Sequence, residues 1–226
     1  VDSLFAVVPE RLQRVLPWVF AVVLALSRWP GLFPPNFSVA YALCLCSGIF
    51  LRGRIGWAMP LTTLVVSDIL LNFWYQFGKG FDVWTSGAML FQAGNYVGYA
   101  VLFGLGRGLS PISRWHWARR LLPVLASSVF GAVLFYVVTN TLAWLLNPFR
   151  NPEYVKTLLG WWTALTVGTG GWPETWNFLL RGILSSALFS TLFAASWQNA
   201  PAESPAEKGE EAPEPEAAPE GEEAKA

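Results

Sequence analysis

An all-α membrane protein, built as a six-helix transmembrane bundle, is the fold class the sequence predicts, and three observations predict it. The 226-residue chain is 54% hydrophobic but only 13% charged, a balance too apolar for an ordinary soluble domain. Its apolar residues gather into runs of about 20, the length that crosses a bilayer core at about 1.5 Å per residue. It also carries thirteen Trp, whose rings settle where hydrocarbon meets water.

The formal net charge of zero conceals a division. Residues 1–199 hold 13 Lys/Arg against 6 Asp/Glu, whereas residues 200–226 hold 2 against 9. The second stretch is mostly Ala, Pro, Glu and Gly without an aromatic or β-branched residue, so it is expected to be a disordered acidic tail, solubilising or docking on a basic partner. Residues 1–199 form the membrane domain.

The spans are expected at about 15–29, 36–51, 55–77, 85–105, 121–146 and 177–197. The first follows Arg11 and Arg14 in the manner of a signal peptide. However, Ser27-Arg28-Trp29-Pro30 offers no small-residue cleavage site, so it reads as a retained anchor. Pro30, Pro34 and Pro35 break the chain before the second span, with Asn36 or Ser38 placed to cap it. Residues 157–172 form a short apolar run ending in Gly168-Thr169-Gly170-Gly171-Trp172-Pro173, which suits a partial or re-entrant helix. With Trp161, Trp162 and Trp172, this segment is expected to cover the mouth of a pocket as a mobile lid.

Lys and Arg concentrate in alternate loops. Arg11, Arg14, Arg52, Arg54, Arg107, Arg114, Arg119 and Arg120 fall on one side, and Arg28, Lys79, Arg150 and Lys156 on the other. The positive-inside rule then puts both termini in the cytoplasm of a cell with this protein in its inner membrane.

Asp68 is the one acidic residue inside a predicted span, where a carboxylate costs about 2.5–3.5 kcal/mol and therefore has a partner, a cavity or a ligand. It begins a polar stripe with Asn72 and Gln76 at helical spacing. Gln92, Asn95, Tyr96 and Tyr99 follow in the fourth span, Tyr136, Asn140 and Trp144 in the fifth, and Asn177, Arg181 and Ser185 in the sixth. The spacing along each helix gathers all four stripes in the outer half of the membrane, as an outward-facing pocket requires. Hydrogen bonds between helices are the alternative use of such residues. Asp68 and Arg181, the acid and base placed within the spans, either pair with each other or contact a ligand separately.

Catalytic signatures are missing. There is no His-Glu-x-x-His zinc motif, no Gly-x-x-x-x-Gly-Lys-Ser/Thr phosphate loop and no second carboxylate near Asp68 to share a proton. Cys44 and Cys46 read as core residues, and His116 stands alone in a loop. The sequence thus points away from an enzyme, a resident metal or cofactor, and a nucleic-acid partner.

Three segments carry a resemblance: Pro34-Pro35-Asn36-Phe37-Ser38-Val39-Ala40, Val66-Ser67-Asp68-Ile69-Leu70-Leu71 and Thr139-Asn140. Together they resemble a bacterial integral-membrane family that is itself similar to the substrate-specificity (S) components of energy-coupling factor (ECF) transporters. The resemblance covers about residues 15–197. It implies capture of a vitamin-like small molecule for import, with a transmembrane coupling subunit and separate ATPases as partners. It also implies that Ala21 and Ala25, a small-x-x-x-small pair on the first span, meet the coupling subunit. A membrane scaffold or sensor without a small-molecule substrate is the competing function.

Overall fold

The structure, a computed structural model, describes residues 10–197. The acidic tail lies outside the described residues. Among the described residues seven α-helices follow one another: α1 (Glu10–Ser27), α2 (Ala40–Phe50), α3 (Ile55–Phe73), α4 (Ser86–Gly108), α5 (Trp117–Leu146), α6 (Leu158–Leu165) and α7 (Thr175–Ser196). A π-helical turn, Trp74–Gly78, extends α3, and a 3-10 turn, Ser110–Arg114, joins α4 to α5. Among the described residues there is no β-strand.

Among the described residues four segments are long and apolar enough to cross a membrane: Ile55–Gly78, Ser86–Gly108, Trp117–Leu146 and Thr175–Ser196. Their outward faces carry large apolar side chains such as Leu70, Val97, Phe130 and Leu184, as a lipid-facing surface does. The second expected span differs from its forecast. Its helix begins at Ala40 rather than 36, because Asn36 takes a left-handed backbone conformation (φ 63°) after the two prolines and leaves the preceding segment non-helical. No side chain caps α2 at its N-cap Val39. The Val39 N–H instead donates to Ser27 Oγ at 3.1 Å, and the Ala40 N–H to Ser38 Oγ at 3.3 Å.

The 11 residues of α2 rise only about 16 Å, about half of a bilayer core. All but Tyr41 are buried, because α1, α3, α4, α5 and α7 all pack around this helix. Close approach depends on glycine. A Cβ on Gly106 would sit 2.1 Å from the Leu45 carbonyl oxygen, and one on Gly48 would sit 2.4 Å from that of Phe103, so the backbones of α2 and α4 touch. Gly94, Gly98, Leu102 and Gly106 form the buried face of α4 at four-residue intervals. Cys44 and Cys46 are buried in α2 as free thiols, in keeping with a packing role.

The end of the bundle holding the α2 C-terminus is filled. Phe20, Phe50, Phe193 and Trp197 pack ring to ring with centroids 4.6–5.9 Å apart. Beside them the buried Arg120 guanidinium donates to the Ala194 carbonyl at 3.2 Å and the Ser113 carbonyl at 3.3 Å. At the opposite end, α6 is the partial helix expected of residues 157–172. Its Leu158 and Leu159 are 84% and 74% exposed, while Trp161 Nε1 donates to Thr141 Oγ1 at 2.9 Å.

The glycine contact makes a direct prediction. Gly106→Ala should destabilise the detergent-solubilised protein by about 1–3 kcal/mol, since the methyl collides with backbone that cannot rotate away. Gly104→Ala, which meets nothing within 4 Å, should be neutral or stabilising by up to about 1 kcal/mol. Melting followed by size-exclusion tests the pair, and equal behaviour of the two variants would contradict the close packing.

Candidate functional site

Because α2 stops short, space remains beyond its N-terminus. A cavity of about 1070 Å³ opens there, bounded by the non-helical segment before α2, the second half of α5, the first halves of α4 and α7, and the loop after α6. Its walls are strongly aromatic. Tyr41, Tyr99 and Phe135 form a contiguous group, with Tyr41–Phe135 centroids at 4.4 Å and Tyr99–Phe135 at 5.0 Å. Two glycines admit these rings: a Cβ on Gly98 would lie 2.6 Å from the Phe135 ring, and one on Gly182 2.8 Å from that of Tyr41.

Arg28, immediately after α1, reaches this cavity and forms an ion pair with Asp68 of α3. Its other amino group donates to Ser67 Oγ at 3.2 Å. The second Asp68 oxygen accepts from the Tyr96 hydroxyl at 2.7 Å. Asp68 is buried and does not line the cavity. One guanidinium, one carboxylate and one phenol therefore close a neutral hydrogen-bonded group that ties α1, α3 and α4 together. In a low-dielectric setting a buried charge is costly without an opposite partner, and each of these two groups has one.

The partner expected for Asp68 is thus corrected. Arg181 stands on α7 and points its Nη1 at the Pro35 carbonyl at 3.5 Å, whereas Arg28, counted as a loop residue in the sequence, carries the pair. The other expected residues divide by position. Asn95, Tyr99 and Asn140 line the cavity, with the Asn140 amide donating to the Tyr136 carbonyl at 2.8 Å. Asn72 and Gln92 bond each other across α3 and α4 at 3.2 Å, the interhelical use of such residues. Gln76 falls in the π-helical turn and accepts from the Val83 N–H at 3.1 Å, and Tyr75 lines the cavity in its place. The wider turn breaks the four-residue spacing on which the stripe relied. Trp144 donates to the Val155 carbonyl at 2.7 Å, bracing the loop after α5.

Of the expected lid, Thr169, Trp172 and Pro173 line the cavity, with Trp172 74% exposed at its rim. Trp161 and Trp162 lie away from it, and α6 is held to α5 by the Tyr136 hydroxyl donating to the Leu165 carbonyl. Ala21 is buried inside the bundle while Ala25 is exposed. Tyr136, expected in the stripe on the fifth span, lines the cavity, and so do Tyr41 and Phe135, which sequence reasoning missed. Their signal was present in Gly98 and Gly182, small residues that seat aromatic rings from neighbouring helices.

The fold and site define a helical bundle with apolar helices of membrane-crossing length, an aromatic cavity at one end and a filled core at the other. The chain belongs to a family of unknown function, DUF6580, whose model matches residues 10–207. No curated protein and no solved structure matches it.

Removing one member of the ion pair should be far worse than removing both. Arg28→Met should cost about 3–5 kcal/mol by leaving Asp68 charged and buried, and adding Asp68→Leu should recover much of that loss. Exchanging charges between positions 68 and 181 should rescue nothing. A double-mutant cycle on thermal stability checks this, and additive losses at Arg28 and Asp68 would contradict the pairing.

Proposed function

We propose that the protein is the substrate-capturing subunit of an importer for a vitamin-sized small molecule, similar in plan to the S components of ECF transporters. The observation that carries this reading is the one-ended cavity. An aromatic chamber of about 1070 Å³ is large enough to enclose such a ligand, and the packed rings of Phe20, Phe50, Phe193 and Trp197 fill the other end of the bundle. A transporter working alone places its site near the midplane and opens a route on both sides. Here, release on the far side calls for a second component.

In this reading the chain crosses the inner membrane six times, α2 and the extended segment before it together making one crossing and α6 making none. Arg52, Arg54, Arg107, Arg114, Arg119 and Arg120 gather at the filled end, so the positive-inside rule turns that end, with both termini, to the cytoplasm and the cavity outward. A transmembrane coupling subunit and its ATPases would supply the energy. On α1 the outward face of Trp18, Val22, Ala25 and Leu26 is the surface offered to such a partner, since Ala21 is already used within the bundle. No catalytic step is assigned.

The test is ligand binding by the purified protein. Native mass analysis should show a bound small molecule, and a metabolite library should contain a compound that raises the melting temperature. At about one hundred times its Kd, such a compound adds about 2.7 kcal/mol of stability. A protein that purifies empty and responds to no metabolite is a scaffold or sensor instead.

A further inference from the structure

The cavity's chemistry narrows what it takes, if the receptor reading above holds. Arg28 is the one Lys, Arg, Asp or Glu among the described residues lining it, and its charge is already matched by Asp68. An anionic ligand can share the remaining Arg28 N–H donors but gains no net counter-charge, since that charge is already matched by Asp68, so its desolvation goes uncompensated; drawing the guanidinium away would leave Asp68 buried without its partner. A cationic ligand meets no carboxylate on the described wall.

The polar groups that remain for a ligand are neutral. Tyr41, Tyr99 and Asn95 line the cavity, and their hydroxyl and amide groups make no hydrogen bond to a described residue. A phenol donates or accepts, and an amide does both, so these groups suit a carbonyl or amide edge. The Arg28 guanidinium, with five N–H donors and two of its nitrogens engaged by Asp68 and Ser67, offers further donors to a carbonyl without leaving its partner. Around them the Tyr41–Phe135–Tyr99 group supplies ring faces and edges for offset contact with a flat molecule.

We infer that the cavity selects an uncharged, flat, ring-containing compound bearing a carbonyl or amide on its edge. The bulk of its contact is apolar and aromatic, and its orientation is set by Asn95, Tyr99, Tyr41 and Arg28. Selection against charge follows from the closed ion pair rather than from a repelling residue.

Two probes of one shape and different charge test this: coumarin-3-carboxamide and coumarin-3-carboxylate at neutral pH. Binding to the full chain in nanodiscs of neutral lipid is read as energy transfer from tryptophan, with protein-free nanodiscs subtracted. The carboxamide should bind at least about ten-fold more tightly than the carboxylate. Asn95→Leu with Tyr99→Phe should weaken the carboxamide by about ten-fold or more and leave the carboxylate unchanged. Unaltered elution and melting of that variant would show that it folds, as expected for side chains without intramolecular bonds. A carboxylate that binds as well or better overturns the inference while leaving the receptor reading standing. Carboxamide binding indifferent to the double variant places the probe elsewhere and also overturns it. Failure of both probes to bind overturns the inference, while the receptor reading stands or falls on the metabolite screen.

Discussion

A helix half as long as the membrane is thick, buried on every side, sets the plan of this protein. The 11 residues of α2 are gripped by five other helices, and backbone contact through Gly48 and Gly106 fixes its depth against α4. Its longer neighbours continue past its N-terminus. With α2 ending short in the middle, the remaining length of the bundle axis becomes the cavity, and the proline-rich segment that reaches α2 becomes part of its wall. Irregular backbone at such a depth is tolerated in membranes where it is packed in protein or borders a cavity.

The Arg28–Asp68–Tyr96 group serves this plan at its weakest point. Residues 28–39 lack the internal hydrogen bonds of a helix, so the chain leaving α1 needs anchoring. The ion pair attaches it to α3, and the Val39 N–H bonded to Ser27 Oγ attaches the start of α2 to the end of α1. The same pair sets the electrostatics of the cavity floor, since it brings a cation to the surface and cancels its charge in one step. Structural closure and ligand preference thus share a single interaction.

Much of this was legible in the sequence, and the failures have physical causes. An acid within an apolar run had to be compensated, which singled out Asp68. Asn95, Tyr99 and Asn140 do face the cavity, as helical spacing implied. The partner was misassigned because Arg28 lies one residue past a helix end, where loop arginines are ordinarily solvated, whereas the chain folds back there. Gln76 left the cavity because a π-helical turn changes the angular step between residues, which no fixed period anticipates. The close packing on α4 went unread, because the recurrence of Gly94, Gly98, Leu102 and Gly106 at four-residue intervals does not by itself say which neighbour approaches.

The central claim is that truncation of α2 opens one end of the bundle down to Asn95, which the proposed orientation turns to the non-cytoplasmic side. Labelling of a single cysteine tests it most directly. With Cys44 and Cys46 replaced by Ala, Asn95→Cys should react with a membrane-impermeant maleimide added to intact cells. Arg52→Cys, at the filled end, should react only in inverted vesicles. Protection of Asn95→Cys from reagent on both sides, or labelling only in inverted vesicles, would contradict the account.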